Sequence, residues 1–67
     1  MLLTAIIHRE EDWYVAECPE VGTASQGKTV EEAIANLREA TEVYLEEFPQ
    51  SPSSNLIVAT FEVPAHA

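Results

Sequence analysis

The clearest hydrophobic pattern in the chain runs from residue 30 to residue 48. Val30, Ala33, Ile34, Leu37, Ala40, Thr41, Tyr44, Leu45 and Phe48 recur there at intervals of three and four. That spacing places them along one side of a 3.6-residue helix. Glu31, Glu32, Asn36, Arg38, Glu39, Glu42, Glu46 and Glu47 fall on the other side. Thr29 followed by Glu32 fits a capping box, in which the threonine hydroxyl accepts from the third helical amide and the glutamate reaches back to the cap's own amide. The helix is therefore expected over about 30–48, stopped by Pro49, which lacks the amide that a further turn would need.

The other apolar runs have strand character. Residues 2–9, LLTAIIHR, and 13–18, WYVAEC, are rich in β-branched and aromatic residues. Separated only by Glu10, Glu11 and Asp12, they read as an antiparallel hairpin. Pro19 and Gly22 bracket a second turn, and 23–26 form a short third strand. Gly27 is expected to take a backbone conformation that other residues avoid. Residues 49–55, rich in proline and serine, read as a mobile linker, 56–63 (LIVATFEV) as a last strand, and the tail PAHA as frayed.

The expected fold is thus α+β, a single domain over 1–67 with element order β-β-β-α-β. A crossover through the helix returns the last strand parallel to the third, which gives a four-stranded mixed sheet of order 3-2-1-4 with the helix on one face. One helix covers one face only. Because the strands are apolar on both faces, a homodimer or larger closed assembly is expected to cover the other. Oligomerisation would also support a domain of 67 residues, a size at which only about 60% of the unfolded surface is buried.

Charge sharpens the picture. Twelve acids against three bases give a formal net charge of −9. Such a field repels phosphate backbones and speeds encounter with basic proteins, so the expected partner is a positively charged protein and not nucleic acid. The single cysteine, Cys18, closes no intramolecular disulfide and suits a reducing compartment. The apolar N-terminus is far too short to span a bilayer. A cytoplasmic protein with no membrane association is the expectation.

Catalytic chemistry finds little footing. Glu10, Glu11 and Asp12 lie consecutively in a turn, where carboxylates point in different directions. Glu39, Glu42 and Glu46 share a helical face on which like charges repel. His8 has no nucleophile tied to it by any motif, His66 lies in the tail, and Cys18 has no neighbouring base to activate it. Trp13 and Tyr14 suit core or interface packing. Gly22 and Gly27 lack the spacing of a phosphate-binding loop. No metal or cofactor is expected. The residues expected to meet a basic partner are Glu10, Glu11, Asp12, Glu17 and Glu20 near the hairpin, and Glu42 and Glu46 on the helix.

The run WYVAECPEVGTASQGKTVEEAIANLREATEVYLEE resembles the signature of the HicB-like antitoxin family. The match spans 3–47. Its most specific part is Ser25, Gln26, Gly27, Lys28, Thr29, Val30, Glu31, Glu32 and Ala33, followed by Asn36 to Ala40 and by Tyr44 and Leu45. The resemblance implies a partial ribonuclease H-like fold without nuclease chemistry, and the first strand holds no acid where an active enzyme of that fold would bind metal. It further implies a type II antitoxin that occludes HicA, a small basic toxin similar to a double-stranded-RNA-binding domain that cleaves messenger RNA using a histidine. Many members carry a helix-turn-helix or ribbon-helix-helix segment after the domain. Here a single HicB-like domain without a C-terminal DNA-binding domain is expected.

The leading expectation is therefore a non-catalytic, acidic binding protein directed at a HicA-type toxin. Two alternatives belong to other classes. One is a degenerate ribonuclease H-like nuclease using a carboxylate-bound metal, and the other is a small-ligand-binding oligomeric domain.

Overall fold

The computed structural model describes residues 1–49 and 57–65. Strands β1 (Ile6–Glu10), β2 (Trp13–Cys18) and β3 (Thr23–Gly27) form an antiparallel meander in that spatial order, and helix α1 (Val30–Glu47) follows. The α+β class and the order of these four elements match the sequence reading. The Pro/Ser-rich stretch expected at 49–55 lies, apart from Pro49, outside the described residues, as do Leu56 and the tail residues 66–67.

The helix ends are built as the capping pattern requires, with one change. Thr29 is extended (φ −130°, ψ 163°), and its hydroxyl accepts from the Glu32 amide at 3.0 Å. The Glu32 carboxylate reaches one residue further than expected and accepts from the Lys28 amide, also at 3.0 Å. At the other end the Phe48 amide donates to the Tyr44 carbonyl at 2.8 Å.

β1 starts later than its composition suggests. Residues 2–5 lie outside the ladder because β2 ends at Cys18, and the next residue, Pro19, has no amide to donate. The hairpin closes tightly, with Glu10 opposite Trp13 and only Glu11 and Asp12 between them. Glu11 sits at φ 54°, the left-handed region that few non-glycine residues occupy.

Gly27 is needed for a reason other than the one expected. Its φ is not left-handed; Gly22, at φ 93°, is the glycine in that region. A Cβ at Gly27 would instead lie 2.6 Å from the Ala33 amide nitrogen and 2.9 Å from the Glu32 carbonyl carbon. The start of α1 presses directly on the end of β3.

That close approach sets the core. Ala16 and Cys18 on β2 meet Ala33 and Leu37 on α1, all four at least 95% buried, with Leu3, Ile7, Tyr14 and Val21 packed around them. Thr41 is buried too, its hydroxyl 2.6 Å from that of Thr23. The helix lies chiefly over β3 and then β2, so that Ile34, Val43, Tyr44 and Phe48 remain exposed on its flanks.

Two expectations need correction. The helix-free sheet face is mixed rather than apolar: the ladder register places Ile6, Trp13, Val15 and Ala24 beside His8, Glu10, Glu17 and Gln26. The fourth strand, expected at 56–63, is not formed in its described part. Residues 57–65 are exposed and carry no ladder, and the sheet order is β1-β2-β3 rather than 3-2-1-4. Alternation marks a segment able to pair, but a ladder also requires a neighbouring edge in reach and register.

Gly27→Ala is expected to cost about 1–3 kcal/mol through the backbone clash, and Thr29→Ala about 1 kcal/mol through the lost cap. Urea unfolding followed by circular dichroism measures both.

Candidate functional site

The family-signature residues prove to be a joint between strand and helix. The Asn36 side-chain amide donates to the Gln26 carbonyl at 2.8 Å, Gly27 admits the helix, Thr29 and Glu32 cap it, and Ala33 is fully buried beneath it. Ser25 on β3 is half-buried beside Asn36 and Ala40. These side chains hold the architecture together, and Asn36, read from the sequence only as part of a polar face, is one of its pins.

The expected partner-binding acids do not form one patch. Glu10, Glu11 and Asp12 are exposed at the β1–β2 turn. Tyr14 pairs with Gly27, so this turn lies at the end of the sheet where α1 begins. Glu42 and Glu46 are exposed on the second half of α1, toward the other end, where Thr41 meets Thr23 and Cys18 pairs with Thr23. Glu42 is also engaged by Arg38, whose Nε lies 3.1 Å from its carboxylate, an exposed i,i+4 pair. Glu17 is exposed on the helix-free face between Ile6 and Ala24.

Around the hairpin, acids and an aromatic ring share one surface. Trp13, 38% exposed, lies opposite Glu10 and carries the Lys28 ammonium 4.1 Å from its ring centroid. His8 stands two residues from Glu10, its Nε2 4.0 Å from the Glu10 carboxylate, an ion pair only when the imidazole is protonated. A large ring beside the acidic turn offers an anchor and a steering field together.

Glu20 has a different role from the one expected. Its carboxylate accepts from the Thr4 amide at 3.0 and 3.1 Å, from the Thr4 hydroxyl at 2.5 Å and from the Cys18 thiol at 3.5 Å. The N-terminal stretch, outside the ladder, is thereby clasped to the end of β2. The Thr4 hydroxyl first, and then the Thr4 amide, hold the Glu20 carboxyl below its ordinary range by stabilising the charged form. Cys18, almost wholly buried beside it, packs in the core.

Among the described residues no three His, Cys, Asp or Glu side chains converge in a way that could hold a metal ion. No helix among them is long and apolar enough to cross a membrane.

Comparison with known proteins places the chain in a family. A UPF0150 protein of Helicobacter pylori is 38% identical over 94% of this chain and 96% of its own length. The chain belongs to the UPF0150 family. Further UPF0150 proteins are similar to it, one from Synechocystis at 41% identity over 90% of this chain and 84% of its own, another from Thermoplasma acidophilum at 44% over 69% and 70%. No family-level sequence profile matches the chain, and no solved structure matches it.

The Glu20 clasp predicts a pH dependence of stability. A carboxyl held below its unfolded value stabilises the fold above that value, about pH 4.3 for glutamate, and loses this contribution as pH falls through the folded value. Glu20→Gln is therefore expected to be less stable than the parent at pH 7, with the difference narrowing toward pH 3 in urea titrations. A difference independent of pH would remove the carboxylate from the account.

Proposed function

We propose that this UPF0150 protein is a non-catalytic, HicB-like antitoxin module that binds and occludes a small basic HicA-type toxin. The surface that carries this reading is the turn Glu10, Glu11 and Asp12 beside the exposed Trp13, with Glu17 further along the same sheet face. A basic ribonuclease approaching a chain of net charge −9 is drawn in by the field. Trp13 supplies the desolvated centre that turns encounter into a lasting complex. The occluded toxin surface would be the one that meets RNA phosphates, because carboxylates compete for the same cationic side chains. The antiparallel meander followed by a helix is compatible with a partial ribonuclease H-like fold, which this reading adopts. The row of acids on α1 serves as a second, weaker steering surface.

Co-expression tests the reading at the level of the cell. A small basic protein encoded beside this reading frame is expected to arrest growth when expressed alone and to become harmless when this chain is supplied. A harmless neighbour, or toxicity that this chain leaves unrelieved, would contradict the proposal. At the level of the surface, reversing Glu10, Glu11, Asp12 and Glu17 to lysine is expected to slow association with that protein by about 10-fold or more at low salt and to flatten its salt dependence. Stopped-flow association rates measured across salt concentrations give both quantities, and unchanged kinetics would move the interface elsewhere.

A further inference from the structure

One apolar surface remains unaccounted for, and it lies away from the acidic hairpin. Between the N-terminal stretch 1–5 and the flank of α1 runs an open groove of about 470 Å³, lined mainly by Met1, Leu3, Ala5, Ile34, Leu37 and Leu45. It adjoins β1, which has β2 on one side and no strand on the other among the described residues. The groove and the strand edge together have the form of a core that is missing one strand.

The same chain carries a segment with the complementary pattern. In residues 57–63, Ile57, Ala59, Phe61 and Val63 alternate with Val58, Thr60 and Glu62. One face is wholly apolar and the other mixed, like a strand with one side on a core and one toward solvent. Ile57 is 84% and Phe61 88% exposed, so the apolar face lies largely open among the described residues. The Cα radius of gyration, 14.1 Å, exceeds the roughly 11 Å of a compact domain of this length. Carrying an apolar strand into water while an apolar groove stands open is unfavourable for both surfaces.

We propose that two copies exchange these segments, the 57–63 strand of each pairing with the free β1 edge of the other and seating Ile57, Ala59, Phe61 and Val63 in its groove. Three observations favour a second copy as occupant. Strand and groove are present in equal number in every chain. Ile57 and Phe61 are exposed, and no residue of 57–65 lines the groove of its own chain. A two-fold exchange fills both grooves in one closed assembly. Exchange also covers the β1 edge, which would otherwise offer unpaired amides and carbonyls to any passing strand. The mixed face of the arm, with Thr60 and Glu62, then continues the mixed helix-free face of the sheet. The dimer does not depend on what the acidic hairpin binds.

Light scattering after size exclusion at about 20 µM, with the full chain, tests the proposal. The parent is expected at about twice the single-chain mass of 7.4 kDa. Phe61→Asp in the arm and Ile34→Asp in the groove alter exposed or half-exposed side chains, and each alone is expected to halve that mass while keeping its helical circular dichroism. An equimolar mixture of the two variants retains one intact strand and one intact groove, and is expected to recover dimer. A parent of single-chain mass, including one whose arm is protected from protease by docking in its own chain, would overturn the proposal. So would a dimer that survives both substitutions, or a mixture that recovers nothing.

Discussion

The structure depends on how closely α1 can approach the sheet. Gly27 lets the first turn of the helix touch the end of β3, and Ala16 and Ala33 keep the two layers together behind it. Small residues at the contact permit that approach but contribute little apolar area of their own. Among the described residues Leu37 is the one large aliphatic side chain in the buried set, and such a side chain stabilises by about 1.5–3 kcal/mol when fully buried. Ordering each residue's backbone costs about 1–2 kcal/mol against that. The helix–sheet joint is specific, then, while the core it closes is small.

Much of the remaining anatomy follows from that imbalance. The capping contacts of Thr29 and Glu32, the Asn36 bond to Gln26 and the Thr23–Thr41 hydroxyl pair fix α1 over β3 by polar contacts rather than by bulk. Glu20 secures the N-terminal stretch in the same way. With α1 set over β3, the β1 side of the sheet and the flank of the helix are left open, and apolar residues gather there. Most of the acids are placed elsewhere, at the hairpin tip, on the sheet face and along the outer helix, although Glu42 and its partner Arg38 also line the groove. Two surfaces of opposite chemistry therefore share one small domain. The acidic one suits a basic protein, and the apolar one suits another strand.

The sequence disclosed these features unequally. Cap, helix and the β-meander were legible because each rests on contacts between residues near in sequence, such as Thr29 with Glu32, or on alternation within one run. Gly27 stood out, yet its reason did not, because a steric approach by Ala33 leaves no mark distinguishable from a turn. Glu20 was read as a free surface acid, since its partner Thr4 lies sixteen positions away and belongs to no motif. The alternation over 56–63 was legible, but the ladder read from it, beside β1, is not formed by residues 57–65: periodicity specifies which face is apolar, never which edge receives it. In the same way, charge counted along the chain showed the excess of acids but not that they would divide between the two ends of the fold.

The central claim is that one chain leaves its fold unfinished and that residues 57–63 complete it as a β-strand on another copy. Residue-resolved amide hydrogen exchange, recorded on the parent chain across a dilution series, tests it most directly. The account predicts that alternate amides within 57–63 and along the outer edge of β1 are protected together at high concentration. They should lose protection together on dilution, while β2, β3 and α1 change less. Protection of 57–63 that is independent of concentration, or its absence at every concentration, would contradict the account.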